Sequence, residues 1–162
     1  MSPLSRSALP ALACLTVLLA CTDSLAGGVP RREGFGWDIQ LEGGYAVAGD
    51  KVWGDLSFFG RARLGALFVG EPWYLAVGPV VTAGGLAEIG GGLQVELTHL
   101  YNGLWGQLGL ECNDQPRLQV HIAAGFSIGG LEWQQSIHDA GTWALIVKLR
   151  IPIGIAVFGF TH

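Results

Sequence analysis

From Trp37 to Val47 the chain alternates without a break. Trp37, Ile39, Leu41, Gly43, Tyr45 and Val47 hold the odd positions, and Asp38, Gln40, Glu42, Gly44 and Ala46 the even ones. A period of two marks a strand whose two faces meet different surroundings, because successive side chains point to opposite sides of the pleat. The same rhythm returns along the chain. Residues 52–69 set Leu56, Phe58, Ala62, Leu64, Ala66 and Phe68 against Asp55, Ser57, Arg61 and Arg63. A third strand starts at Trp73 and alternates through Leu75, Val77, Pro79 and Val81, with a bulge expected at Pro79, which has no N–H for a ladder. Residues 86–101 set Ile89, Leu93, Val95 and Leu97 against Glu88, Gln94, Glu96 and Thr98. Residues 104–112 set Leu104, Leu108 and Leu110 against Trp105, Gln107 and Glu111. The sixth strand sets Leu118, Val120, Ile122, Ala124, Phe126 and Ile128 against Arg117, Gln119, His121 and Ser127. A seventh runs over 131–137. The eighth, from Trp143 to about Phe158, sets Leu145, Val147, Leu149, Ile151, Ile153 and Ile155 against Lys148 and Arg150, with a bulge or strand end at Pro152.

The breaks between these segments are short and turn-like: 49–51, Gly70-Glu71-Pro72, Gly84-Gly85, Asn102-Gly103, 113–116, Gly129-Gly130 and 138–141. Asn-Gly suits a type I′ hairpin, and the glycine pairs suit other two-residue turns. About eight strands joined by short hairpins predict an all-β, antiparallel up-and-down meander, and closing it into a barrel removes its exposed edges.

The N-terminus reads as processing rather than fold. A short n-region with Arg6 precedes an almost wholly apolar stretch from Ala8 to Ala20, the length of a signal-peptide core and too short to cross a ~30 Å hydrocarbon layer. Ser24-Leu25-Ala26 suits a signal peptidase cut, while Leu18-Leu19-Ala20-Cys21 resembles a lipobox, which makes Cys21 a candidate for lipidation. The expected organisation is a signal peptide over 1–26, a flexible leader over 27–35 and a barrel over 36–162. After Ala26, Gly, Pro or charges interrupt every apolar run before ~18 residues, so no transmembrane helix is expected.

Which face points inward depends on composition. Half of the residues are hydrophobic and 14% are charged, against roughly 25% charged in an ordinary soluble domain. The apolar face is continuous and bulky, whereas the other mixes charges with small residues (Gly44, Ala46, Gly90, Gly92, Ala123, Gly125). That second face carries both signs: Asp38, Glu42, Asp55, Glu88, Glu96 and Glu111 with Arg61, Arg63, Arg117, Lys148 and Arg150. Near balance of sign is what a narrow, plugged lumen requires, since buried charges must be paired. Trp37, Trp53, Trp73, Tyr74, Tyr101 and Trp143 stand near strand ends, as in the aromatic girdles of bilayer-spanning barrels. Export without a spanning helix leaves a closed barrel as the membrane-competent structure. The expectation is therefore a transmembrane barrel in contact with outer-membrane lipid, with the opposite polarity, a soluble lipocalin-like barrel, as the alternative.

The alternating pattern over Gly36 to Phe160 resembles the small bacterial outer-membrane β-barrels of the OmpA/OmpX kind. The resemblance implies a bacterial outer-membrane location and folding with the barrel assembly machinery. Such barrels end in an aromatic residue. Phe160 stands near the end of this chain but out of phase with Ile151, Ile153, Ile155 and Val157, which requires a bulge near Pro152 to reset the register. The family tends to have long outer loops, and this chain has almost none.

An eight-stranded barrel has room inside for side chains only. The expected role is thus non-catalytic: a structural or anchoring subunit of a bacterial envelope complex, with envelope protein partners and no cofactor or metal. A narrow pore for ions or small solutes is one alternative. A lipid-modifying enzyme is another, since Glu132, Ser136 and His138 share a strand face and a Ser/His/acid set serves nucleophilic catalysis. His99 and His121 lack a second ligand at zinc-like spacing and read as interface and lumen residues. Cys112 stands near a strand end, with no His beside it in sequence. The net charge of −4 gives no basic patch, so no nucleic acid partner is expected.

Overall fold

The computed structural model describes residues 33–49, 58–84, 89–113, 118–138 and 141–159. Eight strands follow one another: β1 (Gly34–Gly49), β2 (Phe58–Gly70), β3 (Trp73–Gly84), β4 (Ile89–His99), β5 (Leu104–Asn113), β6 (Leu118–Phe126), β7 (Gly129–Ser136) and β8 (Trp143–Gly159). Each pairs antiparallel with its neighbours in sequence, and β8 pairs back onto β1 from Gly34↔Gly159 to Gly49↔Ala144. The ring is closed, and the described residues are all-β, as the alternation predicts. One rim, here the terminal end, carries the start of β1, the end of β8 and the turns after β2, β4 and β6. The other, the loop end, carries the remaining connections.

Alternation along each strand becomes two surfaces. Every Asp, Glu, Lys and Arg within a described strand points inward and is buried. Ile39, Leu41, Leu64, Leu93, Val95, Leu108, Ile122, Leu131, Val147 and Leu149 face outward, each 40% or more exposed. The closed ladder satisfies the backbone, so side-chain polarity alone distinguishes the faces.

Several local expectations change. Phe35, placed in the leader, and Gly34 belong to β1, opposite Phe68 and Val69. Pro79 makes no bulge: Arg63↔Val80 and Ala66↔Val77 keep one register, and only the two rungs between them are interrupted, where proline cannot donate. A register shift does fall near Pro152, since Ile39 pairs with Gly154 and Gln40 with Pro152. It sets Ile155 opposite the inward residue Asp38, and Phe158 opposite Phe35. The turn between β6 and β7 is Ser127–Ile128, with Ser127 at a φ of 54°, not Gly129-Gly130. β4 stops at His99, so the Asn102-Gly103 connection spans four residues rather than two. It is held by Gly103 N–H donating to His99 O (3.0 Å) and Leu104 N–H donating to Asn102 Oδ1 (3.0 Å). Gly103 takes a φ of 68°, the left-handed region that disfavours other residues. The proposed signal, Cys21, Trp53, Asp55, Glu88, Arg117 and Phe160 lie outside the described residues.

Candidate functional site

The inward faces of all eight strands converge on one polar interior. Asp38, Gln40 and Glu42 come from β1, Arg61 and Arg63 from β2, Gln94 and Glu96 from β4, Gln107 and Glu111 from β5, His121 from β6, Glu132 from β7, and Lys148 and Arg150 from β8. Of the lumen charges expected from sequence, Asp38, Glu42, Arg61, Arg63, Glu96, Glu111, Lys148 and Arg150 are brought together here.

Glu42 is the hub. Its Oε2 meets Arg61 Nη1 at 3.0 Å and Lys148 Nζ at 2.7 Å. Its Oε1 accepts from the side-chain amides of Gln40 (2.9 Å), Gln94 (3.0 Å) and Gln107 (2.8 Å). Across the lumen, Glu132 takes a two-pronged contact from Arg61, with Nη1 at 2.9 Å and Nη2 at 3.0 Å, and a third contact from Lys148 at 2.8 Å. Arg61 reaches a third carboxylate through Nε, 2.6 Å from Glu111 Oε1. A planar guanidinium with five donors suits such a position better than an ammonium does. Glu111 also accepts from Thr82 Oγ1 (2.8 Å) and lies 3.2 Å from His121 Nδ1.

A second cluster sits toward the terminal end around Glu96, which meets Arg63 Nη1 at 3.2 Å and Arg150 Nη1. Thr98 Oγ1 (2.9 Å) and the Tyr74 hydroxyl (3.1 Å) donate to it. Arg63 closes the cluster through Asp38 Oδ2 and Gln40 Oε1, both at 2.7 Å. Gln107 links the clusters, since its amide donates to both Glu42 and Glu96 and its carbonyl accepts from Lys148 Nζ. Among the described residues, five buried carboxyl groups thus face three buried arginines and one buried lysine. Removing one member of such a set leaves its partners charged and dry, which is why each is costly to lose.

Rings packed over glycines close the interior beside the charges. A Cβ on Gly125 or Gly130 would lie 2.4 or 2.5 Å from the Trp105 ring, so only glycine admits that ring. The Arg150 guanidinium stands 4.8 Å from its centroid. Toward the loop end Phe59 lies over Gly44, where a Cβ would come within 2.2 Å of the ring, and Arg61 sits 5.0 Å from the Phe59 centroid. Leu67, Val69 and Ala76 form a small apolar cluster with Tyr74 and Leu100.

Tyr74 corrects an expectation. Placed in the outer aromatic set, it faces inward and donates to Glu96, because Trp73 takes the outward position beside it and consecutive strand residues cannot share a face. Trp37, Trp73, Tyr101 and Trp143 are on the outside, 37–70% exposed. His99 packs edge-on against Trp73 at 4.6 Å, on the outer side, and His121 is in the interior.

The Ser/His/acid candidates do not share one environment. Ser136 and Glu132 are buried in the interior, and Glu132 is bound by Arg61 and Lys148, while His138 is exposed beyond the end of β7. Several members of the network are not marked as such by the sequence, among them Glu132, Gln40, Thr82 and Gln134. Glu132 reads as a partner of Ser136, although its alternation with Leu131 and Trp133 marks it as inward. Gln40 reads as merely polar until its contacts to Glu42 and Arg63 are seen.

Comparison with protein-family models, curated proteins and solved structures finds no match for this chain.

Proposed function

We propose that the chain is a non-catalytic barrel of the bacterial outer membrane, acting as a structural or anchoring subunit of the cell envelope. The observation that carries this reading is the distribution of polarity. The described strands put each of their charges inside and an apolar belt outside. Soluble monomers rarely expose contiguous apolar patches larger than a few hundred Å². Here the belt surrounds the ring, with Phe58, Val81, Ile89 and Leu93 each 60% or more exposed. In hydrocarbon that face is favourable, and a closed ladder leaves no backbone edge unsatisfied there. The ion-paired, ring-filled interior supports a plug rather than a conduit, and the commitment of each carboxylate to cations supports a stabilising role over a catalytic one. Trp37, Trp73, Tyr101 and Trp143 serve as interface anchors in this reading.

Fractionation of a Gram-negative host expressing the full chain tests it. The protein is expected in the outer-membrane fraction, extracted only by detergent, with unboiled and boiled samples migrating differently on a gel. Recovery as a freely soluble protein without detergent overturns it.

A further inference from the structure

Counted over the described residues, each strand from β2 to β7 is one residue shorter than the last: 13, 12, 11, 10, 9 and 8 residues. β8 and β1 then run 17 and 16. The shortening falls at the terminal end. β7 stops at Gly129, opposite Leu149, whereas β8 continues to Gly159, ten residues further (159 − 149), and pairs there with β1 at Gly34. The wall is therefore tall along β8, β1 and β2 and low along β6 and β7.

The low side is too short for an ordinary bilayer. Eight residues at about 3.3 Å each, inclined near 40°, rise roughly 20 Å, against an apolar band of ~25 Å in bilayer-spanning barrels. The five-residue difference between β2 and β7 (13 − 8) corresponds to roughly 12 Å of height on the same geometry.

Four of the outer aromatics follow the descending rim. Phe68 stands two residues from the end of β2, Trp73 opens β3, Tyr101 lies just past β4 and Phe126 closes β6. All four are exposed on the outside, at 47%, 41%, 70% and 62%. Aromatics of this kind mark the boundary between hydrocarbon and headgroup. A flat boundary set by Trp73 would leave Phe126 deep in hydrocarbon and the Ser127–Ile128 turn submerged with it. Ser127 N–H donates to Gly103 O and Ile128 O accepts from Arg150 N–H, both at 2.8 Å, but Ser127 is exposed, and exposed irregular backbone does not occur at hydrocarbon depth.

Resting on the outer-membrane reading, we propose that the β6–β7 side of the barrel is a lipid-contact surface that thins the bilayer beside it. Lipid headgroups are drawn in against Phe126 and the Ser127–Ile128 turn, while the β8–β1–β2 side contacts a leaflet of ordinary thickness. The partner is phospholipid with shortened or tilted acyl chains. A wall shorter than its bilayer is accommodated by local thinning.

Ala66 on β2 and Phe126 on β6 both face outward, and each lies eight residues from the loop-end start of its strand (66 − 58 and 126 − 118). The full chain with Cys14, Cys21 and Cys112 replaced by Ala, carrying either Ala66→Cys or Phe126→Cys, is reconstituted into dioleoylphosphatidylcholine vesicles and labelled with nitroxide. The label at 126 is expected to be several-fold more accessible to a water-soluble relaxation agent, and the label at 66 to the lipid-soluble agent. Equal, deep readings at both sites overturn the thinning. Failure of either protein to enter the bilayer overturns instead the membrane reading on which it rests. A second measurement removes dependence on the labels. Urea unfolding is compared in vesicles of 12-carbon and 18-carbon phosphatidylcholine, with and without a four-residue insertion between Ser127 and Ile128 that lengthens β6 and β7 by two residues each. The native chain is expected to lose stability in the thicker bilayer and the insertion variant to lose less. The same dependence in both overturns the proposal.

Discussion

Ile39 and Gln40 are consecutive on β1, yet they meet surroundings as different as any two in the molecule. Ile39 stands 45% exposed in a belt of aliphatic side chains, where its neighbours across the strands, Leu64 and Gly154, set few demands on its shape. Gln40 is 1% exposed, accepts from Arg63 and donates to Glu42. The outer surface obeys one rule, that side chains be apolar, and many sequences satisfy it. The interior is specified contact by contact, because each buried donor and acceptor needs a partner at a fixed place. The same substitution should therefore be tolerated on one face and damaging on the other, and its cost should reveal which contacts carry the stability.

The largest effect is expected at Arg61, which touches Glu42, Glu111 and Glu132 at once. Arg61→Met keeps much of the volume and leaves Lys148 to face Glu42 and Glu132 alone. It should lower the unfolding free energy by about 3–5 kcal/mol, the cost of stranding buried charge. Urea titration followed by tryptophan fluorescence measures it. Part of the loss should return on acidification, because a protonated carboxyl no longer needs a cation. A change below about 1 kcal/mol, the scale of an exposed pair, would show that water reaches these groups. Val95→Arg makes the opposite insertion, a charge into the belt at the middle of β4. It should cost about 2–4 kcal/mol if lipid surrounds that face, and a neutral result in vesicles would move the face away from lipid.

Parity sorted the residues into two faces and composition chose the inner one, down to Trp105 and the small residues Gly44, Gly92 and Gly125; beyond the register shift near Pro152, where Ile155 pairs with Asp38, parity no longer holds. Parity also held the answer at Trp73 and Tyr74, since two neighbours on a strand cannot both join an outer collar. Partnership was not legible. Arg61 meets Glu132 across 71 residues of sequence, and that meeting depends on how the ring closes and in what register. Gly129-Gly130 shows a different limit. A glycine pair is a strong turn signal by composition, but Gly130 is there to admit the Trp105 ring, and the turn falls on Ser127 and Ile128. A glycine needed for space and one needed for its backbone look the same in a sequence.

Glycines sharpen the contrast, because one methyl group probes both faces. Gly125→Ala brings a Cβ within 2.2 Å of Gly129 O and 2.4 Å of the Trp105 ring, so the backbone or the ring must move. The expected loss is about 1–3 kcal/mol, typical of overpacking. Gly43→Ala, on the outer face of β1, meets nothing closer than Phe59 O at 3.8 Å. It should be neutral or stabilising by up to about 1 kcal/mol, because alanine gives up less backbone freedom on folding than glycine. Equal losses for the two would show that glycine in this barrel serves the backbone everywhere, and that the Trp105 fit is incidental.

The smallest effect tests whether the interior is specified to the last hydrogen bond. Tyr74→Phe keeps the ring beside Leu67 and Ala76 and removes only the hydroxyl, which donates to Glu96 at 3.1 Å and accepts a longer contact from Arg150 Nη1 at 3.5 Å. Glu96 keeps Arg63, Arg150, Thr98 and Gln107, so no carboxylate is stranded. A loss of about 0.5–1.5 kcal/mol, the net worth of one hydrogen bond, is the expected outcome in the same urea assay. A loss as large as that of Arg61→Met would mean that Tyr74 orders the whole Glu96 cluster. No measurable loss would place Tyr74 with the outer residues in energetic terms, held by packing alone despite its inward position.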